Sequence, residues 1–401
     1  MTPRTILYTG KGGVGKTSVA ACTARACAAA GARTLLISTD PAHSLSDSLG
    51  AELSGQAQQV GPRLWGLQVA TQEEMEQHWS GVQDWLGELL LERGLDRISA
   101  EELTVPPGMD ELFSLLRLRT VHESGEWETI VVDCAPTGET LRLLSFPDVA
   151  RWWIEKIFPM ERQILATAAP LVRSLLDIPV PNHAVFADVR RLSNNLIAMN
   201  EILRDREHCT VRLVMNPEKM VIGEAMRTFT YLNLYGYLTD AVIVNRVFPA
   251  EVGDYFARWR EIQEEHLDLV RSAFAPVPVL CAPYFDQEVA GPEMLDRLAD
   301  ALFGAGELDP GAILHDTVTQ ELTVSDGQAR LRLALPLARK GDVSLKKVGA
   351  ELVVRVDGHK RTITLPDALA RFQPSGATFE DGALEVVFDG APGAGDEDHV
   401  R

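Results

Sequence analysis

The stretch Gly10-Lys11-Gly12-Gly13-Val14-Gly15-Lys16-Thr17 decides how this chain is read. Gly10, Gly15, Lys16 and Thr17 fall at the fixed positions of the pattern G-x-x-x-x-G-K-[ST]. Glycines let the backbone curl until successive N–H groups face one point, and a helix starting there turns its positive end toward the same point. Such a loop cradles phosphate. Lys16 is placed to reach the outer phosphates of a nucleotide, and the Thr17 hydroxyl to ligate Mg²⁺ directly. A short match arises by chance, so the flanks matter. Thr5-Ile6-Leu7-Tyr8-Thr9 before the loop is apolar and β-prone. The alanine-rich run after it puts Val19, Ala20 and Ala24 on one helical face, with Gly31 as a C-cap. Thr34-Leu35-Leu36-Ile37-Ser38-Thr39 then reads as a second buried strand, ending at Asp40. Strand, loop, helix and strand make one βαβ unit.

Further strands of the same continuous apolar kind are expected at Thr129–Val132, ending at Asp133, and at Ala241–Val244, ending at Asn245. Short runs at Val211–Met215 and Val277–Leu280 supply two more. The fold expected is an α/β P-loop NTPase with a mainly parallel sheet, spanning 1–303. Two inserts, about 71–120 and 148–209, read as a helical subdomain, which 218–236 extends. In the first, Trp79, Val82, Trp85, Leu86, Leu89 and Leu90 form one stripe. In the second, Trp152, Trp153, Ile157, Phe158, Leu171 and Leu175 have two accounts: core packing between inserts, or a groove for a helical client. Composition changes near 304, and 304–317 reads as a linker. Residues 318–389 alternate as strands, with a hairpin turn at Asp357-Gly358, and read as a small all-β sandwich. The acidic, glycine-containing tail 390–401 is expected to be disordered.

Of 401 residues, 46% are hydrophobic and 24% charged, as in an ordinary globular protein long enough for more than one domain. The net charge of −19 argues against nucleic acid as a partner. Acidic and basic residues balance over 318–389, so the negative charge belongs to the α/β body and the tail. Five scattered cysteines fit a reducing, cytoplasmic compartment better than a disulfide framework. No signal peptide is read before the first strand, and no apolar run reaches the roughly 18 residues of a membrane span. A membrane would enter only through a client or partner.

Acids that end apolar strands stand where open α/β sheets assemble their sites. Asp133 is expected to hold Mg²⁺ through its water shell. Asp40 is expected to do the same and to orient or deprotonate the attacking water. Each has the plainer alternative of an ordinary strand-ending acid. Pro136, Thr137 and Gly138, a hydroxyl between a rigid and a flexible residue, suit a γ-phosphate sensor. Lys11 points out of the cradle, where it either reaches the nucleotide of a second subunit, as an arginine finger does, or faces solvent.

Together, Gly10–Thr17, the stretch Ser38–Asp47, the stretch Asp133–Leu144 and Val244-Asn245-Arg246 resemble the deviant Walker A group of P-loop ATPases. Within that group they resemble the arsenite-pump and tail-anchored-protein targeting ATPases. The resemblance covers about 1–303. It implies ATP and Mg²⁺ as cofactors and a homodimer with Lys11 as its intermonomer lysine. It also implies catalytic roles for Asp40, Lys11 and Lys16, switch II at Asp133–Gly138, and nucleotide contacts from 10–17, Ser18, Asn245 and the Pro283 region. Targeting relatives carry a Cys-x-x-Cys zinc pair; none is present, so no zinc is expected. The three-cysteine metalloid cluster of two-halved arsenite pumps is missing too, and Glu139 replaces a common switch II histidine. The C-terminal domain resembles the α-crystallin-like domain of a prokaryotic and plastid branch, either contacting clients or stabilising one flank.

Two functions follow. In the first, a homodimer closes on Mg-ATP and so controls a hydrophobic client-binding surface, in the manner of a chaperone or membrane-protein targeting factor. The alternative is the ATPase subunit of an arsenite, metalloid or ion extrusion system. A chromosome- or septum-positioning switch is disfavoured by the long inserts.

Overall fold

The computed structural model describes residues 2–40, 44–69, 83–84, 109–134, 183–316, 320–325, 328–335, 338–339, 341–349, 351–356, 359–365 and 372–389. The expected groove residues Trp152, Trp153, Ile157, Phe158, Leu171 and Leu175 lie outside these, as do Pro136, Thr137, Gly138, most of the two inserts and the tail.

The glycine loop joins β1 (Arg4–Thr9) to α1 (Lys16–Ala29), and β2 (Thr34–Ser38) follows. The body continues through α2 (Ser44–Leu49), β3 (Gln58–Gly61), β4 (Leu64–Gln68), α3 (Met109–Glu123), β5 (Thr129–Asp133), α4 (His183–Arg204) and β6 (Cys209–Met215). It ends with α5 (Lys219–Tyr235), β7 (Thr239–Val247), α6 (Ala257–Phe274), β8 (Val279–Pro283) and α7 (Gly291–Phe303). These strands form one sheet in the order β3-β4-β2-β5-β1-β6-β7-β8. Every neighbouring pair runs parallel except β3 with β4. β2, β5 and β6 are buried throughout, as strands covered on both faces must be. The chain builds the sheet on one side of β1 with β2 and β5, then crosses to the other side with β6, so strand order reverses at β1. A crevice beyond the C-terminal end of β1 follows from that reversal.

The described parts of the inserts, α3 and α4, are helical and pack on each other. In α5, Phe229 and Leu232 are buried in the body, whereas Met220 is 78% exposed. Among the described residues no helix is long and apolar enough to cross a membrane.

The C-terminal region is antiparallel. One sheet has the order β14-β15-β10-β9, from β9 (Gln320–Ser325), β10 (Gln328–Ala334), β14 (Pro374–Glu380) and β15 (Ala383–Asp389). The other is β11 (Val343–Val348), β12 (Glu351–Val356) and β13 (His359–Thr364). Along β10, Ala329, Leu331 and Leu333 are buried while Arg330 and Arg332 are exposed. Leu352, Val354 and Val356 of β12 and Leu384, Val386 and Phe388 of β15 are buried with them. Val356 pairs with His359; the expected hairpin turn at Asp357-Gly358 lies outside the described residues.

Residues 310–312, within the glycine- and proline-marked segment, are clamped to the sheet. Arg4 Nε donates to the Gly311 carbonyl at 2.7 Å, and Arg212 donates to those of Pro310 and Ala312 at 3.0 Å each. Both guanidiniums also pair with Asp240, and Arg212 and Asp240 are fully buried. Removing one partner of a buried pair leaves an uncompensated charge and unpaired carbonyls. Arg212→Met is therefore expected to lose about 3–5 kcal/mol of stability, seen as a lowered urea midpoint.

Candidate nucleotide site

A cavity of about 890 Å³ opens where β1, β2 and β7 end. Gly12, Gly13, Gly15, Lys16, Thr17 and Ser18 line one wall, Asp40 with Ser44, Ser46, Asp47 and Ser48 of α2 another, and Arg246 with Glu288–Ala290 a third. The loop has little room for side chains. A Cβ on Gly10 would collide with the Val214 carbonyl of β6, and one on Gly15, at φ 94°, with the Asn245 side-chain amide. Glycine is required there for close approach and, at Gly15, for a left-handed conformation.

Lys16 is buried, its ammonium donating to the Lys11 carbonyl at 3.3 Å inside the loop. The Thr17 hydroxyl lies 3.2 Å from the Ser44 hydroxyl and donates to Asp133 Oδ2 at 2.8 Å. Asp133 is fully buried, and burial pushes its carboxyl up to about 6 against the opposing pull of the Thr17 hydrogen bond and of Lys16. Its other oxygen, Oδ1, has no partner among the described residues. A buried carboxylate with an orphan oxygen beside a threonine hydroxyl suits a hydrated Mg²⁺, so these residues fit that cofactor. Asp40 is held through its main chain: its N–H donates to the Ser38 hydroxyl at 3.3 Å, and its carbonyl accepts from Gln68 Nε2 at 2.8 Å.

Asn245 lies under the loop rather than in the cavity lining. Its Nδ2 donates to the Val14 carbonyl and its Oδ1 accepts the Arg246 N–H, both at 2.9 Å. Arg246 adopts φ 61°, and Gln263 of α6 holds the turn by donating to the Arg246 carbonyl and accepting the Phe248 N–H. Pro283 ends β8 and does not line the cavity; the residues that do, Glu288–Ala290, come later in the same connection. Lys11 stands at the rim, 40% exposed and 3.7 Å from Glu224 of α5.

Sequence reasoning missed Gln68 and Glu288–Ala290, and it gave Arg246 and Ser44, quoted within its motifs, no role of their own. Gln68 had a usable signal, a polar residue closing the run Leu64-Trp65-Gly66-Leu67, as Asp40 and Asp133 close theirs. Gly66 interrupted that run and hid the strand.

The sequence pattern described as the anion-transporting ATPase matches residues 3–304, three quarters of the chain. This protein belongs to that family. An HSP20-like domain found in these arsenical ATPases matches 326–388 of the same chain. A Chlorobaculum tepidum protein provisionally named as an arsenical pump-driving ATPase is 37% identical over 390 residues, 96% of each chain. A similarly named protein of Aquifex aeolicus is 36% identical over 394 residues, 96% of this chain and 99% of its own. ATPase GET3B of Arabidopsis thaliana is 32% identical over 318 residues, 73% of this chain and 77% of its own. The protein is accordingly an ATP-hydrolysing enzyme of the family's P-loop α/β fold, with an HSP20-like β-domain appended.

The raised Asp133 carboxyl bears on the stability of this ATPase. Because its folded value of about 6 exceeds the ordinary 3.8, the group favours folding below pH 4. That contribution is lost as pH rises through 6. Asp133→Asn is expected to melt several degrees higher than the parent in metal-free buffer at pH 7.5, while ATP turnover collapses. Parallel melting curves at pH 5 and 7.5 check it, since the gain should shrink at the lower pH.

Proposed function

We propose that this ATPase works as a homodimer that closes on Mg-ATP, and that closure controls an apolar surface for a hydrophobic, helical client. The observation that carries the reading is the placement of Lys11. Its ammonium stands at the outer rim of the phosphate loop, half-exposed and beside a half-exposed Glu224, while Lys16 alone occupies the cradle. A cation held outward at that rim is of use to the nucleotide of a second copy.

Within each site, the curled backbone of 10–17 and Lys16 bind the phosphates, and Ser18 supports the loop's exit. Thr17 would ligate Mg²⁺ directly, with Asp133 and Asp40 acting through its water shell; when bound, the cation would supply charge neutralisation to the phosphates. Asp40 orients the attacking water and takes its proton. Pro136–Gly138, after Asp133, senses the γ-phosphate. Asn245 fixes the loop against β7, beside Arg246, which lines the cavity.

The alternative, metalloid-driven extrusion, draws on the names of the pump-driving relatives. It is disfavoured by the cysteines. Cys22, Cys27, Cys134 and Cys209 are buried with thiols pushed well up by desolvation, which opposes the thiolate that a soft metalloid needs. Turnover and dimerisation measured with arsenite or antimonite, and separately with a detergent-shielded hydrophobic helix, decide between the two. The helix is expected to stimulate. Stimulation by metalloid alone sinks the client reading.

A further inference from the structure

We infer that Gln68 is a positioning residue for catalysis, fixing the main chain of Asp40 from the neighbouring strand. This rests on the reading of Asp40 as the residue that activates water. β2 and β4 run parallel with Ser38 opposite Gln68, and β2 and β5 run parallel with Ser38 opposite Asp133. The ladder ends there: the Thr39 N–H bonds the Asp133 carbonyl, and the Val69 N–H bonds the Ser38 carbonyl. Asp40 lies one residue beyond the last rung.

Two side chains extend the ladder by one step. Gln68 Nε2 donates to the Asp40 carbonyl at 2.8 Å. The Ser38 hydroxyl accepts the Asp40 N–H at 3.3 Å and lies 3.4 Å from Asp133 Oδ2. The main chain of the residue proposed to activate water and the carboxylate proposed to face Mg²⁺ are thus tied through a single serine, with Gln68 bracing the far side.

Gln68 is an expensive choice for its place. It is 3% exposed, and its Oε1 has no partner among the described residues. A buried amide with an orphan oxygen is destabilising, and an apolar residue at the end of this strand would avoid it. Among the described residues, the amide bonds Asp40 alone. Misplacing a reacting group by about 1 Å costs about 10²-fold in rate, so a brace on this backbone has a catalytic return even though it touches no substrate.

The test uses the full chain. Gln68→Leu is expected to lower kcat by about 10–100-fold. It should leave the Kd of a fluorescent ATP analogue within about twofold and the melting temperature equal or higher. Gln68→Met, which keeps the length and lacks the N–H donor without burying a charge, is expected to repeat the loss and guards against a folding failure of the first variant. In an Asp40→Asn background, Gln68→Leu should add no further loss. If kcat of both Gln68 variants stays within twofold of the parent while Asp40→Asn is inactive, the positioning role falls and the Asp40 reading stands. A parallel rise in Kd and fall in Tm in both variants makes Gln68 merely structural and overturns the inference as well. Parent-level turnover in Asp40→Asn removes the Asp40 reading itself.

Discussion

Asp40→Asn should bind ATP as the parent does and hydrolyse it about 10²–10⁴-fold more slowly, the range for loss of a positioned general base. The substitution keeps the side chain's size and removes its charge and basicity. Asp40 lines the same cavity as Lys16 and Thr17, and its main chain is held on both sides by Ser38 and Gln68. The asparagine should therefore occupy the parent geometry, and binding and dimer closure should survive. Single-turnover hydrolysis beside equilibrium binding of a fluorescent nucleotide separates the two effects. Hydrolysis at the parent rate would show that another group activates the water.

Lys11→Ala should reduce turnover by about 10³–10⁵-fold, the range for removing a cationic finger from a phosphoryl-transfer site. It should also abolish ATP-dependent dimerisation. The Lys11 ammonium is turned outward to Glu224, so its loss should leave the affinity of an isolated chain for ADP unchanged. Mixing gives a sharper result than either variant alone. In a heterodimer of Lys11→Ala with Asp40→Asn, the site holding the intact Asp40 receives the intact Lys11 from the other subunit. An equal mixture should then recover roughly a quarter of parent activity if the lysine acts across the interface. No recovery on mixing means that it acts in its own subunit, and the dimer argument fails. Glu224→Ala tests the resting contact: it should leave maximal turnover unchanged, because that pair is half-exposed and contributes little.

Much of the nucleotide site was legible because its signals are local. A glycine loop between an apolar strand and an alanine-rich helix needs no distant residue to be recognised, and the acids closing β2 and β5 stand out against runs of apolar side chains. The C-terminal strands announced themselves by strict alternation in β10 and by short β-branched, apolar runs in β12 and β15. β3, β11 and β14 did not. β14 is an edge strand containing Pro374 and Gly376, with most of its residues exposed, so neither propensity nor patterning marks it. The composition of 304–317 reads as a tether, yet Arg4, Arg212 and Asp240 bind its middle to the sheet. Those three residues are far apart in the chain, and no sequence window contains their meeting.

The sequence by itself determined the phosphate loop, the parallel α/β body around it, the family resemblance and the β-rich C-terminal region, because each rests on periodicity or on residues adjacent in the chain. Only the tertiary structure decided that the Lys11 ammonium rests against Glu224 of α5 while Lys16 fills the cradle. It alone set Asn245 beneath the loop, and it alone brought Gln68 and Ser38 to either side of Asp40. The physical reason is strand order: β4, β2 and β5 are separated along the chain by loops and helices, and only their lateral pairing places a glutamine, a serine and an aspartate in one row.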